Sequence, residues 1–140
     1  MTVFSAAVLA SMPSLVTLKL DGPVFSARAF NYNTAALRNG ALQALQRVEL
    51  DNLILHHDDI TEFADALEHS ACARRLVSLR FHNCQVDREG LQALMNPLGR
   101  GAFPAFMNLC FCNNPGITDV GIGALAEVLY GKTWRHGAWI

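Results

Sequence analysis

The chain carries little charge. Only 16% of its 140 residues are Asp, Glu, Lys or Arg, and the signs nearly cancel at 12 acidic and 11 basic. A formal net charge of −1 leaves no electrostatic footprint for nucleic acid or an anionic membrane. Neither is expected as a partner. Cysteine is also scarce. Cys72, Cys84, Cys110 and Cys112 do not resemble the framework of a small secreted disulfide scaffold. They read as reduced thiols in a cytoplasmic protein. No apolar run reaches the ~20 residues that span a bilayer. The run at 3–10 is apolar, but no basic residue precedes it, so it does not read as a signal peptide. With no linker or low-complexity stretch, residues 1–140 form one expected domain.

What the chain has is apolar side chains in a repeating order. Hydrophobic residues make up 51% of it. Residues 76–98 show the unit. Leu76, Leu79 and Phe81 are spaced as L-x-x-L-x-L, then come Cys84, Val86 and Gly90. Leu91, Leu94, Met95 and Leu98 follow at helical spacing. A period-2 run thus turns into a period-3.6 run: strand, turn, helix. One such unit buries little surface alone. Stacked copies bury a continuous core.

The copies are present. Phe106, Leu109 and Phe111 repeat the triplet, as do Leu45, Val48 and Leu50, and Leu15, Leu18 and Leu20. Their first members are 30, 31 and 30 residues apart. The helical half recurs in step. Val86, Gly90, Leu94 and Leu98 match Ile117, Gly121, Leu125 and Leu129, with one extra residue in the turn at 113–116. Leu55, Asp59, Phe63 and Leu67 match as well. Phe25, Ala29, Asn33 and Leu37 form a weaker copy. The fold class is therefore α/β, with strands near 17–20, 47–50, 78–81 and 108–111.

These residues resemble the leucine-rich repeat family, of the ribonuclease-inhibitor-like kind. The resemblance covers about residues 15–129. It rests on L-x-x-L-x-L, then Cys84 or Asn114 where the family has Asn or Cys, then an apolar residue, a glycine and a helix. It implies a right-handed solenoid with a parallel concave sheet and convex helices. Two departures stand out. The period slightly exceeds the usual ~20–29 residues. Pro23 and Leu53 replace the Asn or Cys in the first two copies, so those turns should be less regular.

Taken in order, residues 3–11 read as a helix that covers the first strand's flank. The segment 25–33 is the least regular, and a helix resumes at Thr34, with Asn39-Gly40 as its stop. The next helix spans 60–68, capped by Asp58 or Asp59, with capping-box spacing to Glu62. His56 and His57 read as solvated loop residues. The third helix starts near Asp87 and ends near Asn96, because Pro97 removes a donor. Thr118 caps the last helix, which carries Ile122, Leu125, Ala126 and Leu129 inward. The tail holds Trp134, Trp139 and Ile140. It either folds over the final unit near Leu109 and Leu125 or begins another unit of a longer array.

Alternate strand residues point away from the core. In a parallel, in-register sheet they form cross-strand rows. One row is Lys19, Glu49, Arg80 and Cys110. A second is Asp21, Asp51, His82 and Cys112. A third is Thr17, Arg47, Ser78 and Asn108. Charge concentrates there while the core positions are clean. These twelve residues are the candidate partner-binding strip, although Lys19, Glu49 and Arg80 can also satisfy one another. Cys84 should point into its turn and satisfy backbone groups.

No metal site is expected: Cys110, Cys112 and His82 offer three ligands on a flat strand, with Asp51 distant, where zinc wants four. No cofactor motif is found, since Gly99-Arg100-Gly101 lacks the lysine and helix of a phosphate loop. Cys112, His82 and Asp51 match a nucleophile, base and orienter by type only. The chain is therefore not expected to be an enzyme. The expected function is a protein-interaction module binding a protein on its concave face. The resemblance also admits a small-GTPase regulator like the Ran GTPase-activating protein. It admits as well the sensing segment of a nucleotide-binding leucine-rich-repeat receptor.

Overall fold

The computed structural model describes residues 14–22, 27–117 and 138–139. The helices expected at 3–11 and 118–129 lie outside them, as do Pro23 and Phe25. Strand β1 is Thr17–Asp21, followed by helix α1 at Ala27–Arg38. Then come β2 at Arg47–Asp51, α2 at His57–Glu68 and a short 3-10 turn at Ala71–Arg75. Strand β3 is Ser78–His82, α3 is Arg88–Gly99, β4 is Asn108–Cys110 and β5 is Ala138–Trp139.

The strands form one parallel sheet in the order β1-β2-β3-β4-β5. Parallel neighbours need a crossover, and α1, α2 and α3 each supply one. The register follows the repeat: Leu18 faces Val48, Val48 faces Leu79, Leu79 faces Leu109. Leu109 faces Trp139, so the tail supplies a fifth strand in step, without the L-x-x-L-x-L triplet.

Burial alternates along the strands. Leu18, Leu20, Val48, Leu50, Leu79, Phe81 and Leu109 are buried, and the residues between them are not. The helices close over that inner face. Ile60, Phe63, Ala64, Ala66 and Leu67 of α2 and Leu91, Leu94 and Met95 of α3 join one core. An aromatic chain runs through it: Phe30 lies 4.9 Å from Phe63, Phe63 6.4 Å from Phe81, and Phe81 5.7 Å from Phe111. Each such pair adds about 0.5–1.5 kcal/mol beyond area burial.

Three expected boundaries are corrected. Helix α1 starts at Ala27, not Thr34. Its buried stripe is Phe30, Asn33, Thr34 and Leu37, so two polar residues interrupt the apolar period. Thr34 Oγ1 donates to the Phe30 carbonyl at 3.5 Å, while the buried amide of Asn33 has no hydrogen-bond partner among the described residues. Helix α2 starts at His57, and its cap is His56 rather than Asp58 or Asp59. The His56 N–H donates to Asp59 Oδ2 at 3.1 Å, and the Asp58 N–H to His56 Nδ1 at 3.4 Å. Leu55 and Ile60 are both buried, at the two staple positions flanking this start. Helix α3 runs through Pro97 to Gly99. A proline in the last turn forfeits only one intrahelical bond, and the Arg100 N–H still reaches the Asn96 carbonyl at 3.2 Å.

The turns after the strands share one device. Asn52, Asn83 and Asn113 all adopt the left-handed backbone, with φ of 60°, 53° and 59°. The Leu53 turn therefore starts like the others. It diverges later, where Gln85 is left-handed and Ile54 is not. Gly22 holds the equivalent place in the first unit. A Cβ there would lie 2.2 Å from the Asn52 carbonyl oxygen, so the chains approach too closely for a side chain.

Candidate functional site

With helices on one face, the other face of the sheet is open. All twelve residues of the expected strip fall on it, and none is buried. The rows form as the spacing implies. Thr17 faces Arg47, Arg47 faces Ser78, and Ser78 faces Asn108. Lys19 faces Glu49, Glu49 faces Arg80, and Arg80 faces Cys110. Asp21 faces Asp51, and Asp51 faces His82. Cys112 lies past the end of β4, where its carbonyl accepts from the Asn83 N–H at 3.0 Å.

Among the described residues, the charges of the Lys19–Glu49–Arg80 row do not pair along it, whereas Asp51 and His82 meet within theirs. Arg80 Nε lies 3.6 Å from Asp51 Oδ1, one row over, and His82 Nδ1 lies 3.5 Å from the same oxygen. Among the described residues, Lys19 and Glu49 make no ion pair. The self-satisfied Lys19–Glu49–Arg80 row is thus replaced by a diagonal contact. It leaves Glu49 half-buried and Lys19 exposed on the open face.

A second polar line runs along the strand ends. Asn83 Nδ2 donates to Asn52 Oδ1 at 2.9 Å, and Asn52 Nδ2 donates to Asp21 Oδ1 at 3.0 Å. Asn113 Nδ2 faces His82 Nε2 at 2.9 Å. The asparagines extend the candidate surface beyond the strip. Sequence reasoning missed them, although Asn52, Asn83 and Asn113 recur in step with the apolar triplets.

Beneath that line the turns are tied together from inside. Asn114 is buried, and its Oδ1 accepts from the N–H groups of Cys84 and Val86, each at 3.0 Å. Its Nδ2 donates to the Phe81 carbonyl at 2.6 Å and the Cys112 carbonyl at 3.1 Å. Cys84 does the same job with a thiol. Its Sγ donates to the carbonyls of Leu50 at 3.2 Å and His82 at 3.3 Å. Burial pushes this thiol up to about 11.

No protein-family model matches the chain, and no curated protein matches it.

Of the nucleophile, base and orienter types, His82 and Asp51 meet, but no hydrogen bond joins Cys112 to His82 among the described residues. Cys112 Sγ lies 2.7 Å from Cys110 Sγ, and His82 meets Asn113 and Asp51 instead of a thiol. His57, at the start of α2, lies away from the open face. Its Nδ1 is 3.4 Å from Glu89 and 3.7 Å from Asp87, which caps α3. The helix face carries fixed ion pairs. Arg38 meets Glu62 at 2.7 Å and Asp65 at 3.0 Å, and Arg100 meets Glu68 at 2.6 Å. Hydrogen bonding to Arg100 holds the Glu68 carboxyl below its ordinary value. Ion pairs thus link neighbouring helices on one face, while Lys19, Arg47 and Glu49 on the other make none among the described residues. Among the described residues, no helix is long and apolar enough to cross a membrane.

Proposed function

We propose that the chain is a leucine-rich-repeat solenoid of the ribonuclease-inhibitor-like kind, and that it binds a protein partner on the open, concave face of its sheet. The observation that carries this reading is the row containing Lys19 and Glu49. Both stand on a rigid, in-register sheet, and neither has an ion-pair partner among the described residues. A side chain held by its strand but electrostatically unspent can reward a complementary charge without first breaking a bond. The turn asparagines add donors and acceptors at one border of the strip. The mechanism is shape and charge complementarity on a preformed surface, with little ordering to be done on binding. Four unpaired cysteines support a cytoplasmic location.

Retention of protein from a cell lysate on three immobilised forms tests the reading. These are the wild-type chain, Glu49→Lys on the sheet, and Gln92→Lys on the exposed side of α3. Bands held by wild type and Gln92→Lys but lost from Glu49→Lys are expected. Equal retention by all three would move the binding site off the sheet.

A further inference from the structure

Cys110 and Cys112 stand apart from the other two thiols. Cys72 and Cys84 are fully buried and bonded to Ser70 and to backbone carbonyls. Cys110 and Cys112 are half-buried, both face the open side, and their sulfurs are 2.7 Å apart. A disulfide bond is about 2.05 Å long, so closure needs well under an ångström of movement. The local chain explains the approach. Alternate residues of a strand share a face, and β4 ends at Cys110, so the chain is already turning at Cys112. Buried Phe111 anchors the backbone between them.

We infer that Cys110 and Cys112 form a thiol–disulfide exchange site, which closes into a reversible intrachain disulfide on meeting a small disulfide of the glutathione type. The surroundings fit such a substrate. A recess of about 640 Å³ opens beside Cys112, lined by Asn83, Phe111, Asn113, Asn114 and Pro115 among others. Arg80 faces Cys110 across the sheet and supplies a cation beside the sulfurs. The hydrogen bond to Cys110 is the main cause that pushes the Cys112 thiol up, with burial next, against the pull of the Arg80 charge. In the proposed exchange Cys110, which Arg80 faces, attacks first and Cys112 resolves. Thiolate, not thiol, is the attacking species.

The Cys110 thiolate attacks one sulfur of the small disulfide. A mixed disulfide forms and the other half leaves as a thiolate, which takes up a proton. Cys112 then loses its proton and attacks Cys110 Sγ. The Cys110–Cys112 bond forms, and the second half leaves as thiol. Two protein thiols are oxidised and one small disulfide is reduced to two thiols. The inference does not depend on the face binding a protein partner.

Intact protein, equilibrated without oxygen in mixtures of reduced and oxidised glutathione, tests it by mass. Wild type should become lighter by one pair of hydrogens, and the change should reverse with excess reduced glutathione. Cys110→Ser and Cys112→Ser should not make that change. Cys112→Ser should instead hold one glutathione on Cys110, because nothing resolves the mixed disulfide. Wild type that keeps bound glutathione, or that stays unchanged where Cys112→Ser is modified, would overturn the inference. So would a ring that also forms in either single variant, since another cysteine pair would then be responsible.

Discussion

Asn114→Ala is the sharpest test of how neighbouring units are joined. The substitution removes a side chain that makes four hydrogen bonds to backbone atoms of two successive turns. Two of the orphans are the N–H groups of Cys84 and Val86, both fully buried residues. A buried group left unsatisfied costs about 1–3 kcal/mol, so these two alone cost about 2–6 kcal/mol. The Cys112 carbonyl is less affected, because it keeps its bond from the Asn83 N–H. Whole domains are stable by only about 5–15 kcal/mol. Urea unfolding followed by circular dichroism is the assay, with Asn108→Ala as the control at an exposed strand position. Asn114→Ala should lose a large share of the unfolding free energy and Asn108→Ala almost none. Equal midpoints for the two variants would refute the idea that this amide ties the turns.

Gly22→Ala should lower the melting temperature sharply, because its Cβ would meet backbone at 2.2 Å. Gly90→Ala, whose Cβ would meet the movable Ile60 Cδ1 at 2.8 Å, should cost much less; equal losses would contradict the close approach at Gly22. Cys84 gives a pH dependence. Its folded value is raised from 9.0 to about 11, so its contribution is whole below about pH 9 and is lost as pH climbs through about 11. Urea melts of wild type and Cys84→Ala across that range should converge as pH rises, and a constant gap would sink the assignment. Deleting residues 133–140 removes β5 and bares the edge of β4. Light scattering should then show self-association, whereas a monomer as stable as the full chain would show that β5 protects nothing.

Much of the sheet was legible because two signals coincided. The apolar triplets fixed the strands to within a residue, and their 30-residue step fixed the register from Leu18 to Leu109. Helix starts were harder. Asn33 and Thr34 occupy buried positions of α1, so the apolar stripe breaks where the helix does not. His56 is not among the residues that commonly cap helices, and Asp59 offered a rival capping pattern with Glu62. The membership of the strip followed from alternation alone. Its electrostatics did not, because the Arg80–Asp51 contact depends on side-chain reach across a row, which spacing does not encode. The strand-end asparagines were visible as a periodic residue. Their meaning needed the left-handed backbone, which sequence shows directly only for glycine.

The central claim is that the open sheet face reads a protein partner through its unpaired charges. It is tested most directly by the affinity of a purified partner for wild type and Glu49→Lys, with thermal melts of both on the same preparation. A desolvated interface charge that loses its counterpart costs about 2–5 kcal/mol, against about 0–1 kcal/mol for an exposed ion pair. The expected result is an affinity loss of about thirty-fold or more, with a melting temperature near that of wild type. Unchanged affinity in a folded Glu49→Lys chain would contradict the account.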